Sequence, residues 1–435
     1  MKLKIPASAT PYLARLDVLP RFVAWLLIAI AFAATLLYFF YRGPPHHMVI
    51  ATGPEGSYFN RTALRYAAQL KKQGVSATIV ATEGALDNLH RINGAKERVD
   101  VAFMDGGMTD EAASPDLYSL GSVAYEPLWI FYRKPLGKRT TLASLKGLRL
   151  VIGPQGSGAN FLSRKLLRAA GFDVHNSTIL EADVDSARKL LDTGQADAGF
   201  FMDPLETPYI RALFMQDNIA VMNMAEAEAL RRVMPFLHVI EVPRSTVDLA
   251  GGRPPEDLKV VATTVVVVAR RETHSALIYL LMSIIDAVHE PPTLLQRENE
   301  FPADKDVDLP LSPQAEIYYK DGKPFLQRYL PFWLASLVES LLKVMVPLFA
   351  VLIPLSNYVP RAIRWRIQQK TTRCYLRLMA LEKRANTEPH ENLQSEFAAL
   401  AATVDRHLHD KSIPASDVYI LKEHIELVRR KLASA

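Results

Sequence analysis

Apolar positions recur at helical spacing after two glycine-rich turns, and the same order of strand-like and helix-like runs accompanies each turn. In the first copy the strand-like "MVIATG" leads into the turn of "ATGPEGSYFN" (51 to 60). A helix then carries Ala63, Tyr66, Ala67 and Leu70 on one face. The β-like run "SATIVAT" follows, then the helical "EGALDNLHRI" with Leu86, Leu89 and Ile92, and the strand-like "VDVAFMD" ending at Asp105. In the second copy "LRLVIG" leads into the turn of "VIGPQGSGAN" (151 to 160), and one helix bears Leu162, Leu166 and Ala169. "STIL", a helix with Val184, Ala187, Leu190 and Leu191, and "ADAGFFMD" ending at Asp203 complete it. Gly53 to Asp105 spans 52 residues and Gly153 to Asp203 spans 50, so the chain contains an internal repeat. Strands alternating with helices predict a parallel α/β unit for each copy.

The connecting segments predict how the copies are joined. "LYSLGSVAYEPLWIFYRK" and "VVATTVVVVAR" are long runs rich in β-branched and aromatic residues, and a helix is expected from about 273 to 289. Two α/β lobes joined by extended crossings give this order. Lobe 1 is expected at about 44–130 and 235–330 and lobe 2 at about 135–234, with hinges near 131–135 and 235–243.

Outside residues 44–330 the pattern changes to apolar blocks. "FVAWLLIAIAFAATLLYFFY" (22–41) is 20 residues without a charge, enough for the ~30 Å hydrocarbon core at ~1.5 Å per residue. It is a membrane span or a signal peptide. A signal peptide would end at a small-residue site such as "AFA" (31–33), but the apolar run continues past it, which favours an uncleaved anchor. A second block, 334–358, carries Glu339 and Lys343 one turn apart and is charge-free from Val344 to Leu355. It is a second span or a buried helix of a soluble domain. Basic residues lie before the first block (Lys2, Lys4, Arg15, Arg21) and after the second (Arg361, Arg364, Arg366, Lys370, Arg373, Arg377). By the positive-inside rule, the N-terminus (1–21) and the tail (361–435) are both expected to be cytoplasmic, with 44–330 outside. In the tail, Leu393, Phe397, Leu400 and Val404 form one helical stripe, and Val418, Leu421, Ile425, Val428 and Leu432 another.

Charge and composition then narrow the chemistry. The tail holds 14 Lys or Arg against 9 Asp or Glu, a net +5 equal to that of the whole chain. The basic excess is therefore a membrane-proximal feature and no nucleic-acid partner is expected. Cys374 is the single cysteine, which excludes an intramolecular disulfide and any CxxC zinc pattern. The sequence has no HExxH, GxSxG, GxGxxG or GxxxxGK[ST] motif, so neither catalysis nor a cofactor is expected. The pairs His46–His47 and His407/His409 are expected to be solvated, with no metal site.

The paired Gly-Pro-x-Gly-Ser turns are the candidate site. Ligands of open parallel sheets bind where strand ends lead into helices, and a helix N-terminus attracts an anion through unpaired N–H groups and its dipole. Ser57 and Ser157 either cap their helices or offer hydroxyls to a ligand. Asp105 and Asp203, at equivalent strand ends, suit capping or lobe contact better than paired-carboxylate chemistry.

"IATGPEGSYFN", "EGALDNLHRI" with "DVAFMD", "LASLKGLRLVIGPQGSGAN", "LLDTGQADAGFF" and "FMDPLETPYI" together resemble the TAXI family of solute-binding proteins of TRAP transporters, over roughly residues 47–320. The resemblance implies an α/β, two-lobed periplasmic-binding-protein-like (type II) domain, here flanked by transmembrane helices and an α-helical tail. It also implies a small carboxylate or amino-acid ligand in the inter-lobe cleft, TRAP-type permease subunits as partners, and a bacterial inner membrane with the domain in the periplasm. The family's ligand-contacting turns correspond to Ser57 and Tyr58, to Gly84, Ala85 and Asn88, to Tyr125, and to Gly156, Ser157, Gly158, Ala159 and Asn160. Two positions depart from the family, which usually has serine at Ala85 and threonine at Ala159; each change deletes a hydroxyl. A sensor or scaffold tethered by the same helices, without transport, is the alternative implied by the two spans.

Overall fold

In parallel sheets covered on both faces, strands bury nearly every residue, and the third strand of each repeat does so here. The computed structural model describes residues 23, 25–38, 45–94, 98–173, 177–305, 308–323, 326, 329–330, 332–384, 390–408 and 415–433. Its contacts define two units, Arg42–Ser336 and a second made of Met1–Tyr41 with Leu337–Ala435.

An apolar helix, α1 (Trp25–Tyr38), comes first in the chain. The first repeat is β1 (His47–Ala51), α2 (Tyr58–Lys72), β2 (Ser76–Val80), α3 (Ala85–Asn93) and β3 (Val101–Asp105). After the long strand β4 (Leu117–Arg133), the second is β5 (Arg149–Ile152), α4 (Gly158–Ala169), β6 (Thr178–Glu181), α5 (Val184–Asp192) and β7 (Ala198–Met202). Then come α6 (Pro208–Phe214), β8 (Ile219–Val221), α7 (Ala227–Val233), β9 (His238–Val242), β10 (Leu258–Arg270), α8 (Ser275–His289) and α9 (Pro313–Asp321).

The repeat is reproduced in the pairing. β1 lies parallel to β2 and β3, and β5 lies parallel to β6 and β7. Ala51 is opposite Val80 and Ile152 opposite Glu181, the same 29-residue offset in both copies (80 − 51 and 181 − 152). An antiparallel strand then joins each third strand: β10 beside β3, and β4 beside β7. The order β2-β1-β3-β10 in one lobe therefore matches β6-β5-β7-β4 in the other. This is a two-lobed α/β arrangement.

β4 links the lobes. At ~3.3 Å per residue its 17 residues reach roughly 55 Å. Its residues Leu117 to Pro127 pair with β10, and Leu128 to Tyr132 pair with β7. Leu120 and Val123 sit in the core of lobe 1, while Leu128 and Ile130 sit in that of lobe 2. The first crossing thus falls near Pro127. The return was expected at 235–243, but β9 there pairs with the start of β10, and its Ile240 and Val242 are buried in a core of lobe 2. The chain returns instead within β10, between Ala262 in that core and Val265 in the core of lobe 1.

The second unit contains α1 and most of a 53-residue helix, α10 (Phe332–Arg384), followed by α11 (His390–Leu408) and α12 (Ala415–Ala433). Among the described residues, one stretch, Trp333–Pro354 of α10, is long and apolar enough to cross a membrane by length and composition. α1 is shorter, and residues 22, 24 and 39–41 of the expected first span lie outside the described residues. Ile28 of α1 packs against Leu352 of α10, with Leu348 and Phe349 beside them. Most other apolar side chains here are exposed, including Trp25, Ile30, Val346 and Val351. Glu339 and Lys343 pair at 2.8 Å. In the tail, Leu378 and Leu381 of α10 meet Leu393, Phe397, Leu400 and Val404 of α11 and Leu421, Ile425 and Val428 of α12.

Candidate functional site

The carboxyl ends of β1, β3, β5 and β7 open on one space between the lobes, a cavity of about 580 Å³. Both glycine-proline turns line it, as do Asp105 and Asp203. Each turn ends in a serine with extended backbone (φ −65°, ψ 166° at Ser57; φ −83°, ψ 154° at Ser157), the conformation of an N-cap. Ser57 Oγ accepts from the Asn60 N–H at 3.3 Å, and Ser157 Oγ from the Asn160 N–H at 3.1 Å. Ser157 also donates to the Pro154 carbonyl at 2.8 Å. Both hydroxyls therefore serve the helices they begin.

N–H groups at the starts of α2 and α3 are bound across the cleft by the opposite lobe. The Tyr58 N–H at the start of α2 donates to Asp203 Oδ1 at 3.2 Å. The Leu86 and Asp87 N–H groups at the start of α3 both donate to the Gly156 carbonyl, at 3.0 and 3.1 Å. Asp105 of lobe 1 abuts Gly158 at the start of α4 so closely that a β-carbon there would collide with its carboxylate. Gly84, at φ 129°, brings its α-carbon against the Ser157 backbone, where a side chain would be both strained and crowded. Arg61 of α2 adds a bond from Nη2 to Thr207 Oγ1 at 3.1 Å. A carboxylate ligand at the start of α2 or α3 thus finds the Tyr58, Leu86 and Asp87 N–H groups already engaged by Asp203 and by the Gly156 carbonyl.

The electrostatics of the cavity follow from its lining. Eight carboxylates and one guanidinium face it, and the guanidinium, Arg91, is bound to Asp87 at 3.0 Å. Asp105, Glu126 and Asp203 lie deepest and are almost wholly buried. Burial pushes Asp105 up to about 6, against the opposing effect of its hydrogen bond with Glu126. Asp203 is also pushed to about 6 by burial, partly offset by the Tyr209 hydroxyl and the Arg61 charge. Glu126 is held well above the carboxylate range by burial and then by the Asp105 charge. As carboxylates, Asp105 Oδ1 and Glu126 Oε2 have no hydrogen-bond donor; one proton between the two groups supplies it.

Of the eleven residues expected at a ligand, Ser57, Gly84, Ala85, Ser157, Gly158 and Ala159 line the cavity. Five others of that set are used elsewhere. Tyr58 turns its hydroxyl toward His289 Nδ1 at 3.5 Å and offers only its N–H to the cleft contact. Asn88 is buried, donating to the Phe103 carbonyl and accepting from the Thr82 hydroxyl, both at 2.8 Å. Tyr125 donates to Glu300 at 3.0 Å and packs against Phe301 and His238. The carbonyl of Gly156 is taken by α3, and Asn160 donates to the Gly153 carbonyl at 2.7 Å and to Glu181 at 3.0 Å. Ala85 sets its methyl in the core of lobe 1 and Ala159 packs against that of lobe 2. Sequence reasoning missed Glu126 and Tyr209. The signal for Glu126 was a lone carboxylate in the otherwise apolar and aromatic run of β4; Tyr209 offered none.

The NMT1-like family profile matches residues 50–322, well over half of the chain. The chain belongs to the NMT1-like family. No curated protein matches it. Among solved structures, this NMT1-like chain is similar to an ancestral arginine-binding protein bound to arginine, at 12% identity, covering 56% of this chain and 92% of that one, with a TM-score of 0.36. It is also similar to the amino-acid transporter substrate-binding protein AbpA of Streptococcus pneumoniae bound to L-arginine (13%, 67% and 96%, 0.34). A third is the reduced regulatory domain of OxyR from Pseudomonas aeruginosa (10%, 57% and 98%, 0.36).

Proposed function

We propose that residues 44–330 form an extracytoplasmic receptor that closes its two lobes over a small solute, held at the bacterial inner membrane by α1 and α10. The observation that carries this is the cavity of about 580 Å³ at the strand ends of both repeats, in the 300–1,000 Å³ range of small-molecule sites. The TAXI-like motifs support a receptor in particular, and delivery to a TRAP-type permease is the role they favour. Membrane anchoring is supported by the apolar stretch Trp333–Pro354 and by the exposed apolar side chains of α1 and α10, which a lipid environment would cover. One observation favours the sensor alternative: α10 continues without a break from that stretch into the three-helix tail.

The test is a melting series on the full-length protein in lipid nanodiscs with amino acids, dicarboxylates and amines, each at millimolar concentration. At least one solute should raise the transition of the lobed domain, since a ligand at 100 times its Kd adds ~2.7 kcal/mol. If no solute moves that transition, the domain is not a receptor for any of these classes.

A further inference from the structure

Resting on that receptor reading, we infer that the cleft takes a small organic cation, an amine or guanidine, and not the carboxylate that its paired turns first suggest.

The lining provides the first argument. Deep in the cavity stand Asp105, Glu126 and Asp203, with Glu83, Asp183 and Asp185 among the carboxylates nearer its rim. The one lining cation, Arg91, is already paired with Asp87, and Arg61, which acts on Asp203, is not part of the lining. An anion entering this space would meet like charge in a site with reduced screening, whereas a cation gains from the carboxylates that no cation of the chain already holds.

The second argument is independent of charge count. Asp105 Oδ1 and Glu126 Oε2 are buried oxygens of the lining that lack a donor when ionised. Such a group is destabilising if left unsatisfied, and more so if charged. An ammonium brings three donors and a guanidinium five, and either would displace the proton that the pair otherwise shares. The Tyr58, Leu86 and Asp87 N–H groups at the starts of α2 and α3 are engaged by Asp203 and Gly156, so a carboxylate on the ligand finds those donors already taken. Among the described residues, no cluster of three or more His, Cys, Asp or Glu is placed to hold a metal ion, which points to an organic cation with spaced donors.

The experiment is calorimetric titration of the full-length protein in nanodiscs with putrescine, agmatine and L-lysine against succinate and L-glutamate, at low and moderate salt. Putrescine or agmatine should bind at least tenfold more tightly than either acid. Its affinity should fall as salt rises, and Glu126→Gln should weaken it at least tenfold. Circular dichroism of Glu126→Gln checks that the variant folds, and Glu83→Gln, at an exposed rim position, repeats the test at a site free of folding risk with a smaller loss expected. Binding of succinate or glutamate in preference to the amines overturns the cationic assignment and leaves the receptor reading standing. Failure of all five probes to bind overturns both.

Discussion

At the scale of single residues, the cleft is governed by carboxylates placed where a ligand anion would sit. Asp203 faces the Tyr58 N–H, the Tyr209 hydroxyl and Arg61, and Asp105 faces Glu126 and Asp203. Both aspartates are raised to about 6 by burial, while the unfolded chain releases their protons near pH 4. Between those values the folded domain binds more protons than the unfolded chain, so their effect is to lower stability as pH rises through that window. The domain transition of Asp105→Asn should therefore fall less between pH 5 and pH 7.5 than that of the wild type. Equal slopes for the two proteins, measured by thermal melts, would exclude burial of an ionisable Asp105. Gly158→Ala tests the same contact sterically. A β-carbon there meets the Asp105 carboxylate, and overpacking of this kind costs about 1–3 kcal/mol. Asp105→Gly should restore the lost stability in the double variant if that collision is the cause. This level was the least legible in the sequence. The sequence left Ser57 and Ser157 as either caps or ligand hydroxyls, because whether a helix end also receives a ligand depends on what the opposite lobe places before it, and Asp203 is 145 residues from Tyr58.

At the scale of elements, the repeat was legible because it rests on local periodicity: strand, glycine turn and amphipathic helix recur in order, and the 29-residue offset between first and second strands is common to both copies. The return crossing was not. "FLHVIEV" reads correctly as a strand, but which lobe it joins is decided by its pairing with Leu258–Ala262 of β10, a contact that leaves no periodic trace. The tail stripes were legible for the same reason as the repeat, since Leu393, Phe397, Leu400 and Val404 of α11 and Leu421, Ile425 and Val428 of α12 are buried together, while the side chains expected at Val418 and Leu432 lie outside the described residues. Leu393→Ala removes a fully buried side chain, a change worth ~2–5 kcal/mol. In hydrogen exchange on the full-length protein, α11 and α12 should lose protection in this variant while β3 keeps its own. Unchanged protection in α11 and α12 would contradict a shared tail core. Ser157→Ala removes the cap of α4 and should cost ~1 kcal/mol, read from denaturant melts of the lobed domain.

At the scale of the whole molecule, the account joins two claims, anchoring and closure. For anchoring, reporter fusions after residue 20 and at the C-terminus should both report cytoplasm, and one near residue 250 the outer side. A C-terminal reporter on the outer side would overturn the expected orientation. For closure, the bonds between the lobes among the described residues include those to Gly156, Asp203, Glu206 and Thr207, and a solute in the cleft acts on whether they stay together. The most direct measurement is the distance between spin labels on exposed positions of the two lobes, Lys72→Cys on α2 and Arg168→Cys on α4, in a Cys374→Ser background. Saturating agmatine should narrow the distribution to a single closed distance, L-glutamate should leave it broad, and Glu126→Gln should abolish the narrowing. A distance distribution indifferent to every solute tested would contradict the receptor account.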